Sequence, residues 1–89
     1  MIGYMSCTKV IGDDIDYPYE AFLVADENST QECVDWIKQS FGNPYASLLM
    51  NTPKPFKLKI TRPDGYGLNS IVIKFDTEEK IAAFKLRFM

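Results

Sequence analysis

The sequence predicts an α+β domain, a small antiparallel sheet with helices on one face, in the order β-β-α-(α)-β-β-α. Three observations carry that expectation. Ser70 to Met89 reads as a strand running directly into a helix, because Ile71, Ile73 and Phe75 alternate with Ser70, Val72 and Lys74. A second helical period begins near Ser29, with Cys33, Val34, Trp36, Ile37, Ser40 and Phe41 inside an arc of about 160°. Phe56 to Arg62 alternates Leu58 and Ile60 with Lys57 and Lys59, which suits a strand buried on one face.

Taken in order, Met1 to Ile11 has β character, with Ile2, Tyr4, Thr8 and Val10 on one side of the period. Gly12 to Pro18 is an acidic loop, and Glu20 to Ala25 a short apolar strand. Ser29-Thr30-Gln31-Glu32 has the form of a capping box, which predicts a helix opening at Ser29. The same residues complete Asn28-Ser29-Thr30, a glycosylation pattern that is more economically a cap. Gly42 supplies the helix stop and Pro44 forbids continuation. Asn43-Pro44 then starts a short helix to Met50, a short strand being the competing assignment. After Phe56 to Arg62, Pro63-Asp64-Gly65 turns the chain and Tyr66 to Asn69 lengthens that loop.

In the final helix Asp76 or Thr77 is the cap. Glu78 and Glu79 stand in the first turn, with Lys85 and Arg87 in the last, an order that complements the helix dipole. The alternation Phe84, Leu86, Phe88 would also suit a closing strand, but the helix before it would then be too short to cover a sheet. Strand–helix–strand–strand–helix from Glu20 onward is the core of a ferredoxin-like split βαβ. The fourth strand of that fold is missing after the last helix. The N-terminal strand can take its place, giving a permuted ferredoxin-like sheet.

Eighty-nine residues predict one domain, residues 1–89, and 46% hydrophobic residues are enough to build its core. Neither a membrane span nor a basic-then-apolar leader is visible, and Cys7 and Cys33 show no CxxC pattern. Reduced thiols in a cytoplasmic setting are the expectation. The net charge of −2 conceals a segregation. Up to Asp35 one lysine faces eight acids; from Trp36 onward nine bases face four acids. Either the folded domain complements itself, or an acidic and a basic face each steer a partner.

The chain contains no histidine, which removes Ser–His and Cys–His nucleophiles and His-containing zinc sites. Cys33 lies early in a helix, where the dipole favours thiolate, but its apolar neighbours and the flanking Glu32 and Asp35 oppose that, so it reads as a core cysteine. Asp13, Asp14, Asp16 and Glu20 lack the order of a calcium loop, since Pro18 holds the glycine position and Val24 that of the bidentate Glu. The five glycines are scattered and form no phosphate loop. No catalytic residue, metal or cofactor is expected.

Two binding surfaces remain. One combines the acidic residues Asp13, Asp14 and Asp16 with the apolar groups Tyr17, Tyr19, Leu49 and Met50, as for a protein partner or a second copy of the chain. Apolar residues near Leu48 and a second stripe on the last helix (Ala82, Leu86, Met89) exceed what one thin sheet obviously covers. The other surface is the far side of the sheet, where Lys57, Lys59 and Lys74 project together with Phe22 as a stacking aromatic. That face suits single-stranded nucleic acid, although Ser70 and Val72 stand where further aromatics would be needed, and pairing of the lysines with Glu20 is the alternative.

The segment Phe75-Asp76-Thr77-Glu78-Glu79-Lys80-Ile81-Ala82-Ala83-Phe84-Lys85-Leu86-Arg87-Phe88 resembles the ending of many short tailed-phage proteins. These close with an aromatic strand residue, an acidic turn, an alanine-rich helix and Phe-Lys-Leu-Arg before an aromatic. The resemblance covers about fourteen residues and implies no catalytic group. It implies a small phage accessory protein of the infected cytoplasm that binds and modulates a host or defence protein.

Overall fold

A computed structural model describes residues 2–9, 15–62 and 67–88, the side chains of 46–48 excepted. The elements are β1 (Ile2–Lys9), β2 (Tyr19–Asp26), α1 (Glu27–Phe41), α2 (Pro44–Met50), β3 (Phe56–Thr61), β4 (Leu68–Phe75) and α3 (Glu78–Phe88). The strands form one antiparallel sheet in the order β1-β2-β4-β3. The fold is α+β, and α1 and α3 both pack on the central strands β2 and β4.

The period of two seen in the sequence decides which side chains those helices cover. Ala21, Leu23 and Ala25 of β2 and Ile71, Ile73 and Phe75 of β4 are fully buried, with Phe56 of β3 beside them. From the helices Cys33, Ile37, Ile81 and Phe84 complete the same cluster. Because successive side chains in a strand point to opposite faces, Glu20, Phe22, Val24, Ser70, Val72 and Lys74 are turned away from it. Aromatic rings seal the end of the core: Phe75 meets Phe41 and Phe84 at centroid distances of 5.6 and 5.8 Å, and Trp36 meets Phe88 at 5.5 Å.

Several boundaries differ from the sequence expectation for local reasons. The N-cap of α1 is Asp26, three residues before Ser29. Its Oδ1 accepts a 2.8 Å hydrogen bond from the Ser29 N–H, and the Thr30 hydroxyl donates to the Asp26 carbonyl at 2.7 Å. The capping-box residues therefore lie inside the helix, and β2 runs into it without a loop. β4 begins at Leu68 instead of Ser70, because Leu68 and Asn69 already pair with Asp26 and Ala25.

Other expected stops hold. The Gly42 N–H closes α1 on the Lys38 carbonyl at 3.0 Å, with φ at 102°. Asn43 accepts from the Tyr45 N–H to start α2, and Asn51 leaves that helix with φ at 54°. Thr77 caps α3 by accepting from the Lys80 N–H, and α3 runs as helix to Phe88, so no closing strand forms. The Pro63-Asp64-Gly65 turn lies outside the described residues.

One register irregularity has consequences for the exposed face. Ile2 pairs with Ala25 but Tyr4 pairs with Val24, so Gly3 is an extra residue in β1. This bulge moves Ile2 onto the core side with Met5 and Cys7, and leaves Tyr4 on the opposite side with Ser6 and Thr8. The expected grouping of Ile2 with Tyr4 is thereby corrected: strict alternation fails at the glycine.

Candidate functional site

The sheet face that α1 and α3 leave uncovered is built from three cross-strand rows. Thr8, Glu20, Lys74 and Lys57 form one; Ser6, Phe22, Val72 and Lys59 the next; Tyr4, Val24, Ser70 and Thr61 the third. Lys57, Lys59, Lys74 and Phe22 therefore do share a face. Tyr4, to which the sequence pattern assigned no face, joins them: it is 56% exposed and its ring meets Phe22 edge-on at 6.1 Å between centroids. The available signal was Gly3, since an isolated glycine in a strand often marks a bulge.

The charge on this face is uneven. Register sets Lys74 directly between Glu20 and Lys57, so it has one opposite and one like charge as neighbours. Among the described residues the ion pairs are Arg62–Glu27, Lys80–Asp76 and Arg87–Glu32, so neither Lys59 nor Lys74 is held to Glu20 within 4 Å. A shallow hollow of about 400 Å³ is lined by Glu20, Lys57, Leu58, Lys59, Val72 and Lys74. A second, of about 460 Å³, curls round β3 and takes in Lys38, Tyr45 and Lys54 as well as Lys57 and Leu58. The two share Lys57 and Leu58, so the basic surface continues across the edge strand.

The second candidate surface is only partly described, because Asp13 and Asp14 lie outside the described residues. Asp16 is exposed. The Tyr17 hydroxyl donates a 2.6 Å hydrogen bond to the Lys54 carbonyl, and the Lys57 ammonium stands 4.8 Å above its ring. This ties the acidic segment to the linker after α2. Leu49 and Met50 are 90% and 72% exposed, and Tyr45, one helical turn before Leu49, is 71% exposed. Lys54 lies four positions after Met50, a reach of at most about 14 Å, so segments 37 positions apart in sequence meet at one end of the molecule. Tyr19 is not part of that end: it packs against the core beneath the Lys9 ammonium.

The cysteines sit in unreactive settings. Cys33 is fully buried, and burial first, then the Glu32 charge, push its thiol up to about 11, with Arg87 opposing. Cys7 is half-buried and its thiol is likewise raised by burial. Among the described residues no three His, Cys, Asp or Glu side chains gather where they could hold a metal ion, and no helix is long and apolar enough to cross a membrane. No family model matches the chain, and no curated protein and no solved structure matches it.

Proposed function

We propose that the chain is a single-domain, non-catalytic interaction module whose partner is another protein. The carrying observation is the apolar ridge of Tyr45, Leu49 and Met50 on α2, left open beside the Tyr17–Lys54 clasp. Large apolar side chains held on a short capped helix, with Lys38, Lys54 and Lys57 beside Tyr45 and Asp16 next to Tyr17, suit a protein groove that is apolar at its centre and polar at its rim. The strand order β1-β2-β4-β3 supports a permuted ferredoxin-like description, with β1 beside β2 in the place of that fold's fourth strand. The resemblance of the last fourteen residues to tailed-phage accessory proteins supplies the setting, a cytoplasmic partner of host or defence origin.

Site-specific photo-crosslinking tests this reading. A photoreactive residue at position 49 should trap one predominant protein in host extract. Leu49→Asp or Met50→Asp should abolish that product while the melting temperature stays within a few degrees. An unchanged crosslink pattern in both variants would remove the ridge as the contact.

A further inference from the structure

We propose that the uncovered sheet face is a second, separate binding site, and that its ligand is single-stranded nucleic acid. Tyr4 and Phe22 stand on adjacent strands with their rings inclined at 61°, so each can offer a surface to a different base. Stacking on such rings tolerates any base and needs bases that are not already stacked in a duplex. From Phe22 the same row crosses Val72 to Lys59, two strand spacings or about 10 Å away. Lys74 stands one row further along the neighbouring strand. A ligand that stacks on the rings therefore passes its backbone over Lys59 and Lys74.

Charge favours the same ligand. The hollow on this face is lined by three lysines, Lys57, Lys59 and Lys74, against one acid, Glu20. In a chain of net charge −2, that concentration is local and follows the track a backbone would take. An acidic peptide could satisfy the lysines but would leave the exposed Tyr4 ring without a flat partner. The hydroxyls of Ser6 and Ser70 stand next to Phe22, directly opposite and diagonally across the sheet, and can reach base edges. At the far end, Tyr17 beneath Lys57 brings Asp16 to the margin of the track, so the core of the site is Tyr4, Phe22, Lys59 and Lys74.

The experiment is fluorescence anisotropy with a labelled short oligothymidine, read at rising salt, with its duplex and a polyglutamate peptide as competitors. Binding should weaken with a log–log slope near −1.4 if two phosphates are held, at about −0.7 for each, and Lys59→Gln should remove one such step. Tyr4→Ala should weaken binding by about 5- to 150-fold, the range for loss of one stacked base. Glu20→Gln should tighten it, and Leu49→Asp should leave it unchanged, which separates this site from the α2 ridge. Circular dichroism melts confirm that each variant is folded. Flat anisotropy at low salt overturns the proposal. So does a Tyr4→Ala variant that binds as well as the parent chain, or polyglutamate competing as strongly as the oligonucleotide, which would make the face an acidic-peptide site.

Discussion

Asn69 Nδ2 donates a 3.0 Å hydrogen bond to Thr30 Oγ1, joining the start of β4 to the first turn of α1 across 39 positions of sequence. Both residues are 3% exposed, and they are the buried polar side chains among the described residues. The Thr30 hydroxyl in turn donates a hydrogen bond to the Asp26 carbonyl, and Asn69 also donates to Glu27 Oε2 at 3.2 Å. This small network locks the β2–α1 junction onto the sheet and explains why β4 extends back to Leu68.

Asn69→Ala would leave the buried Thr30 oxygen with one partner fewer, and is expected to cost about 1–3 kcal/mol. Thr30→Val should cost a similar amount, and the double variant less than the sum, with a coupling of about 0.5–3 kcal/mol. Urea denaturation of the four proteins measures this; strictly additive losses would show that the two side chains do not act together.

Phe84 sits fully buried between Phe75, Trp36 and Phe88. Phe84→Ala should remove about 3–5 kcal/mol, a large part of the 5–15 kcal/mol typical of a whole domain. Trp36 lies in the same cluster, so its fluorescence reports the transition. A loss under about 1 kcal/mol would mean that the aromatic end of the core closes over the gap.

The Cys33 thiol makes stability depend on alkaline pH. Its ordinary value is 9.0 and the folded state raises it to about 11, so the native chain holds this proton more tightly than the unfolded chain. Its stabilising contribution is complete below pH 9 and is lost as pH rises from 9 toward 11. The expected loss is on the order of 2 kcal/mol. Urea titrations of the parent and of Cys33→Ala at intervals across this window isolate it from the tyrosines. Equal slopes for the two proteins would exclude the cysteine as the source.

Removal of Gly3 tests the bulge. With the extra residue gone, Ile2 can still face Ala25 and Tyr4 can still face Val24, now without the irregularity. The shortened chain should melt within about 5 °C of the parent, a change of roughly 1 kcal/mol for a domain of this size, and should keep the near-ultraviolet dichroism of the Tyr4–Phe22 pair. A collapse of that signal would show that the bulge itself positions Tyr4.

Much of this molecule was readable from local patterns, because those patterns are imposed by short-range physics. Alternation in Ser70–Phe75 reports a strand with one dry face, and the Pro44 start and Gly42 stop follow from what each residue permits its backbone. The grouping of Lys57, Lys59 and Lys74 followed from the same period. Two things escaped that logic. A bulge shifts every residue beyond it to the other face, so Tyr4 could be placed only once its partner Val24 was known. The Asp26 cap won over Ser29 because the strand delivers Asp26 to the helix start, and register across the sheet decides that.

By itself the sequence determined the order and kind of elements, the core face of β4, and the want of an imidazole, since each depends on residue type and spacing alone. Only the tertiary structure decided that Tyr4 joins Phe22, that Tyr17 clasps Lys54, and that the basic surface runs on round β3. Those relations join positions between 18 and 37 residues apart, and no local period encodes them: they follow from which strands lie side by side.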